Sequence, residues 1–245
     1  MKFRYKTSNC FAAAQAIAKR CNNKIPRLKI RLIQRKEQWT LTVAGWIVTL
    51  ISIVALLAIA IANIYPFLSV NQPIAADVLV VEGWMPDYAI EDAIAEFKTG
   101  DYRQVITTGT PLSKGYYLAE YKNFANLTAA TFIALGLNPD RIISVPTSYV
   151  KKDRTYASAV ALREWLLNSD LNIKSLNLFS LGPHTRRSWL IFQTVLAPEY
   201  KVGSIAAQPQ EYDAKNWWQY SEGVRIVIGE AIAYIYGYLS LGNLG

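Results

Sequence analysis

An α/β fold of three layers around a mostly parallel sheet of about five strands, preceded by one transmembrane helix, is predicted by three features of this sequence. Residues 41–64, LTVAGWIVTLISIVALLAIAIANI, carry no charge. From residue 77 onward, short β-branched runs alternate with segments of helical pattern. Basic residues crowd the N-terminal end, ahead of the apolar run.

Taken in order, the first 38 residues read as a basic tail. Of the 26 Lys and Arg in the chain, 11 lie within the first 36 residues, where neither Asp nor Glu occurs. The formal charge of +8 therefore belongs to the tail and not to the folded part. A basic tail can serve nucleic acid, but the charge bias beside an apolar run explains it more simply, so no nucleic-acid partner is expected. The segment 24–36, KIPRLKIRLIQRK, can lie on anionic headgroups of the lipid bilayer.

Residues 39–65 are expected to span the membrane, because about 20 apolar residues cross some 30 Å of hydrocarbon. Trp39 and Tyr65 suit its two interfaces. The positive-inside bias then leaves the N-terminus in the cytoplasm and the C-terminal domain extracytoplasmic or periplasmic, as a single-pass protein of the cytoplasmic (inner) membrane. Ala60-Ile61-Ala62 has the small-x-small form of a cleavage site. However, the charged region before it and the apolar run both exceed signal-peptide lengths, so an uncleaved anchor is expected. Cys10 and Cys21 precede the span and would face a reducing compartment. The outer domain has no cysteine, hence no disulfide or thiol chemistry.

A short extended linker, 66–76, leads into a domain over 77–241. Runs at 77–81, 104–108, 142–145, 175–180 and 202–206 read as strands covered on both faces. Helical segments lie near 89–98, 123–135, 154–168 and 183–196, with Asp153 as the N-cap of the third. This alternation predicts a doubly wound, Rossmann-like parallel sheet with right-handed crossovers. Residues 216–241 read as a core-packing helix with interfacial aromatics, because the uncharged run after Glu230 is too short for a second span. A lone carboxylate there is costly, so Glu230 is expected in a structural ion pair with an arginine. Trp217 and Trp218 are expected in the core.

In an open parallel sheet, ligands sit beyond the carboxyl ends of the strands, where strand order reverses. In the common doubly wound order that place lies between the first and fourth strands, which end in VEGWMPD and SLGPHTRR. Glu82 would then meet His184, the single histidine of the chain. Gly182 and Pro183 open the following helix. His184, Arg187 and Ser188 share one of its faces, while Arg186 points to the other. Cations oppose a helix dipole at this end, so stability alone would not choose them. Free N–H groups there, with Arg187 beside them, make an anion site for phosphate or carboxylate. Candidate catalytic residues are His184, as general acid or base, and Glu82, which orients it or shares proton transfer. Candidate ligand contacts are Arg187, Gly83, Thr108, Gly109, Arg154, Thr155, Ser180 and Gly182. Lys151 and Lys152 add positive charge at the same edge.

The patterns GxxxxGK[ST], GxGxxG and GxSxG are absent from the relevant positions. One histidine and no outer cysteine argue against zinc. No metal site and no particular cofactor is predicted.

The quoted stretches ADVLVVEG, VITTG, DRTYASA and SLGPHTRRSWLIF together resemble the SanA/YdcF/ElyC family over about residues 77–238. The resemblance maps family positions onto His184, Arg187, Thr155 and Gly109, while Glu82 stands where many members carry glycine. It implies a YdcF-like domain and a role in bacterial cell-envelope biogenesis, in peptidoglycan or surface-polysaccharide precursor handling. Its ligand would be an anionic, phosphorylated or carboxylated envelope precursor, or a lipid-linked sugar phosphate. Two functional readings follow: a hydrolase or transferase using His184, or a non-catalytic binding or regulatory scaffold that needs Arg187 more than His184.

Overall fold

A computed structural model describes residues 39–241. The basic tail, with Cys10, Cys21 and the segment 24–36, lies outside the described residues. The first helix, α1 (Val43–Leu68), is long and apolar enough to cross a membrane, and no residue in its most apolar stretch is buried by protein. At about 1.5 Å per residue it exceeds the roughly 30 Å of a hydrocarbon core. It runs past Pro66, beyond the expected end at 65; the proline forgoes one hydrogen bond to the preceding turn and leaves the last residues helical. Tyr65, expected at a bilayer interface, is instead buried against Tyr212.

The α/β expectation holds. Five strands, β1 (Val78–Glu82), β2 (Gln104–Gly109), β3 (Ile142–Pro146), β4 (Ser175–Leu181) and β5 (Lys201–Ala207), form one wholly parallel sheet in the order β3-β2-β1-β4-β5. Four helices cover it: α2 (Asp87–Thr99), α3 (Phe124–Ala134), α4 (Arg154–Asn168) and α5 (His184–Leu196). The two-residue period of a strand divides the core. Leu79 and Val81 pack with α2 and α3, whereas Val78 and Val80 pack with α4 and α5. Both faces are therefore dry, which is why the strands read as continuous apolar runs.

The linker is more tightly held than its composition suggests. Gln72 exchanges two backbone hydrogen bonds with Ser204 of β5. The amide side chain of Asn177 accepts from the Ile74 N–H at 3.0 Å and donates to the Ile74 carbonyl at 2.9 Å. The strand edge at β5 is thereby partly paired, which blunts an aggregation-prone margin.

Asp77, just before β1, ties three chain segments at the amino end of the sheet. Its carboxylate accepts from Arg103 at 2.8 Å, from the Lys174 N–H at 2.7 Å and from the Ser175 N–H at 3.0 Å. Hydrogen bonds to a charged group contribute about 1.5–3 kcal/mol. Asp77→Ala is therefore expected to cost about 2 kcal/mol and to lower the melting temperature by about 5 °C, read from thermal unfolding of the detergent-solubilised full chain.

The last helix, α6 (Ser221–Leu241), follows a 3-10 segment, Ala214–Gln219. Tyr65 and Leu68 of α1 form a small core with Tyr212, Trp217 and Val227. Trp217 is buried as expected, but Trp218 is exposed. By length and composition α6 also passes the test for a membrane span. Its contacts with α5 and the 3-10 segment, and the ion pairs of Glu230, place one side of it against the folded domain.

Candidate functional site

Strand order reverses between β1 and β4, and both strands end at the same crevice. Glu82 closes β1 with only 3% of its surface exposed. One carboxylate oxygen accepts from Ser188 Oγ at 3.1 Å and the other from Ser180 Oγ. His184 opens α5 with its Nε2 3.8 Å from Glu82 Oε1. On the opposite side its Nδ1 lies 2.9 Å from Glu230 Oε1. Trp84 stands edge-on to the imidazole with ring centroids 4.7 Å apart. The imidazole is thus clamped between two carboxylates, one from a strand end and one from the last helix.

Arg187 completes the cluster. Its Nε donates to Glu230 Oε2 at 2.9 Å and its Nη2 to Oε1 at 3.2 Å, a two-pronged pair that fixes the carboxylate. Burial alone would lower the imidazole pKa, but the charge of Glu82 and the hydrogen bond to Glu230 outweigh it and raise the pKa to about 9. Burial would likewise raise both carboxylates. His184, with the serines at Glu82 and Arg187 at Glu230, reverses this and holds both below the usual range, Glu230 at about 2. These directions favour the charged form of all three side chains, and Arg187 Nη2 lies 2.9 Å from His184 Nδ1 as well.

A folded pKa near 9 against an ordinary 6.5 makes stability depend on this proton. The stabilisation is complete below pH 6.5 and lost as pH rises through about 9, on the order of 3 kcal/mol. Urea titrations of the wild type at pH 6 and pH 10 should differ by this amount, and His184→Gln should flatten the difference.

The cluster forms one wall of a cavity of about 910 Å³. Among the predicted site residues, Glu82, Thr108, Gly109, Arg154, Thr155, His184 and Arg187 all line it. Thr108, next to last in β2, has a buried hydroxyl with no hydrogen-bond partner among the described residues, leaving it free for a ligand or water in the cavity. Lys151, Lys152 and Arg154 also line the cavity and are exposed, at the start of α4.

Several expectations need correction. Arg187, expected to face an anion, lines the cavity with its guanidinium paired to Glu230 and its Nη2 beside His184 Nδ1, because α6 lies over the start of α5. Ser180 does not line the cavity, since its hydroxyl donates to Glu82 behind the wall. Gly83 and Gly182 do not line it either. Gly83 lies against the Phe124 and Thr108 carbonyls, where a Cβ would come within 3 Å of both. Gly182 adopts φ 45°, which lets the chain turn from β4 into α5. Asp153 makes no side-chain cap; it adopts a left-handed conformation at φ 56°. Helix α5 begins at His184, one residue after Pro183. Arg186 does point away from the site, its guanidinium stacked 4.0 Å over Phe67.

Glu230 was read as an ion-paired carboxylate, and it is one; its second partner, His184, makes it part of the site. An acidic residue inside VIGEAIAYIYGYL signalled a buried partner but not which one.

No model of a known protein family matches the chain, and no curated protein matches it.

Proposed function

We propose that this chain is a membrane-anchored, extracytoplasmic SanA/YdcF/ElyC-like protein of bacterial cell-envelope biogenesis, acting on an anionic precursor held in the crevice beyond β1 and β4. The observation that carries this reading is the imidazole of His184, clamped between Glu82 and Glu230 in a cavity also lined by Lys151, Lys152 and Arg154. These cations draw in a phosphate or carboxylate, and the Thr108 hydroxyl offers it a hydrogen bond. His184 acts as general acid toward a leaving oxygen, because its pKa keeps it charged at neutral pH. Glu82 and Glu230 orient the ring and hold its charge. Arg187 holds Glu230 rather than the ligand.

A second, more apolar slot of about 320 Å³ shares Asp153, Thr155 and Arg187 with the cavity and runs on past Tyr156, Ile191 and Tyr236. This continuity supports a precursor with a hydrocarbon tail, such as a lipid-linked sugar phosphate. The exposed apolar helix α1 and the basic tail support anchoring with the N-terminus in the cytoplasm.

The lone imidazole gives a direct test by nuclear magnetic resonance of the tag-free full chain in detergent. Inorganic phosphate should shift its resonances saturably, and a Lys151→Ala, Lys152→Ala, Arg154→Ala variant should weaken binding at least tenfold. In a strain whose barrier defect the wild type corrects, His184→Ala and the triple variant should each fail at normal abundance. Correction by both would overturn the site. A harmless His184→Ala beside a failing triple variant would favour a binding scaffold over an enzyme.

A further inference from the structure

We infer that the outer face of α6 docks in the plane of the same bilayer that α1 crosses, giving the domain a second membrane contact beside its anchor. This rests on the reading of α1 as a membrane span.

The helix has two unlike sides. At 100° per residue, Glu230 and the buried Gly223, Val227 and Gly237 fall on one side, which meets α5 and the 3-10 segment. Opposite them run Ile228, Ile232, Ile235 and Leu239. Ile232 is 64% and Leu239 61% exposed. Between Glu230 and Leu241 there is no charge at all. A contiguous apolar stripe of this length is uncommon on a free surface and marks an interaction site.

Two observations select a bilayer as the occupant. The first is continuity with the anchor. Phe67, in the last turn of α1, stands edge-on to Tyr234 of α6 with ring centroids 5.5 Å apart, and Ile64 and Leu68 join the core that holds Val227 and Ala231. Contact with the end of α1 is made by the inner side of α6, which holds the helix beside the point where the span leaves the hydrocarbon and turns the apolar stripe outward. The second is the distribution of side-chain types. Tyr236 and Tyr238 flank the stripe, as suits residues at headgroup depth. A full span is ruled out for α6, because its inner side carries the Glu230 ion pairs into the domain. An amphipathic helix lying in the interface satisfies both sides at once.

The test uses the full chain with Cys10→Ser and Cys21→Ser, reconstituted in vesicles of phosphatidylethanolamine and phosphatidylglycerol that carry doxyl-labelled acyl chains. An environment-sensitive fluorophore is attached singly at Ile232→Cys, Leu239→Cys, Ile53→Cys in α1, or Lys98→Cys in α2. All four positions are exposed, so the substitutions remove no core packing. The expected result is lipid quenching and a blue shift at positions 232, 239 and 53, with neither at 98. Quenching at 53 without quenching at 232 and 239 overturns the docking of α6 alone. Absence of quenching at 53 overturns the anchor reading and this inference with it. Energy transfer between labelled copies at 232, with no lipid quenching there, assigns the face to a second copy and also overturns the inference.

Discussion

Glu82→Gln is expected to abolish function while leaving the protein folded, and to release the proton that His184 carries at neutral pH. Glutamine has nearly the shape of the carboxylate, and its amide oxygen can still accept from one of the two serines that hold Glu82. What it removes is the charge that does most to raise the imidazole pKa. Glu230 remains, but its charge is shared with Arg187. Titration of the single imidazole should therefore show its pKa falling from about 9 toward the ordinary value, and correction of the barrier defect should be lost. Glu82→Ala goes further. It strands two serine hydroxyls and leaves a buried cation with one counter-ion fewer, a change that costs about 3–5 kcal/mol. The contrast between a folded, inactive Gln variant and an unstable Ala variant separates the electrostatic role of this side chain from its packing role. A Gln variant with an unshifted imidazole pKa would sink the account of the cluster.

Gly83→Ala should be among the most damaging single-atom additions in the domain. The new Cβ would meet the Phe124 carbonyl oxygen at 2.6 Å and the Thr108 carbonyl oxygen at 2.9 Å, both backbone atoms. The Gly83 carbonyl also accepts from the buried Thr128 hydroxyl at 2.9 Å, so the turn has little room to move aside. Overpacking against rigid neighbours costs about 1–3 kcal/mol or somewhat more. A loss of about 3 kcal/mol would lower the melting temperature by about 10 °C. Because Gly83 follows Glu82 directly, the imidazole titration should also become heterogeneous. A wild-type melting temperature would show that the turn relaxes freely.

The layers of this domain were legible because their signals are local. Strand positions came within about a residue or two of those seen, because β-branched apolar runs such as VLVV and LNLF need both faces covered wherever they lie. The helix over Arg154–Asn168 matched its expected limits. Its cap did not, since a preference for Asp at that position says nothing about a left-handed turn after two lysines. The pairing of Glu82 with His184 was also readable, because a doubly wound order makes β1 and β4 neighbours.

By itself, then, the sequence determined the parallel α/β sheet, the apolar helix ahead of it, and the arrival of one carboxylate and one imidazole at a shared strand-end crevice. Tertiary structure alone decided how the cations are used. Arg187 and Ser180 have the chemistry of ligand contacts, but the fold gives them to Glu230 and Glu82, and leaves the open rim to Lys151, Lys152 and Arg154. The reason is physical: side-chain type sets what a group can bind, whereas the partner it meets depends on how α6 packs back over α5, which no local spacing encodes.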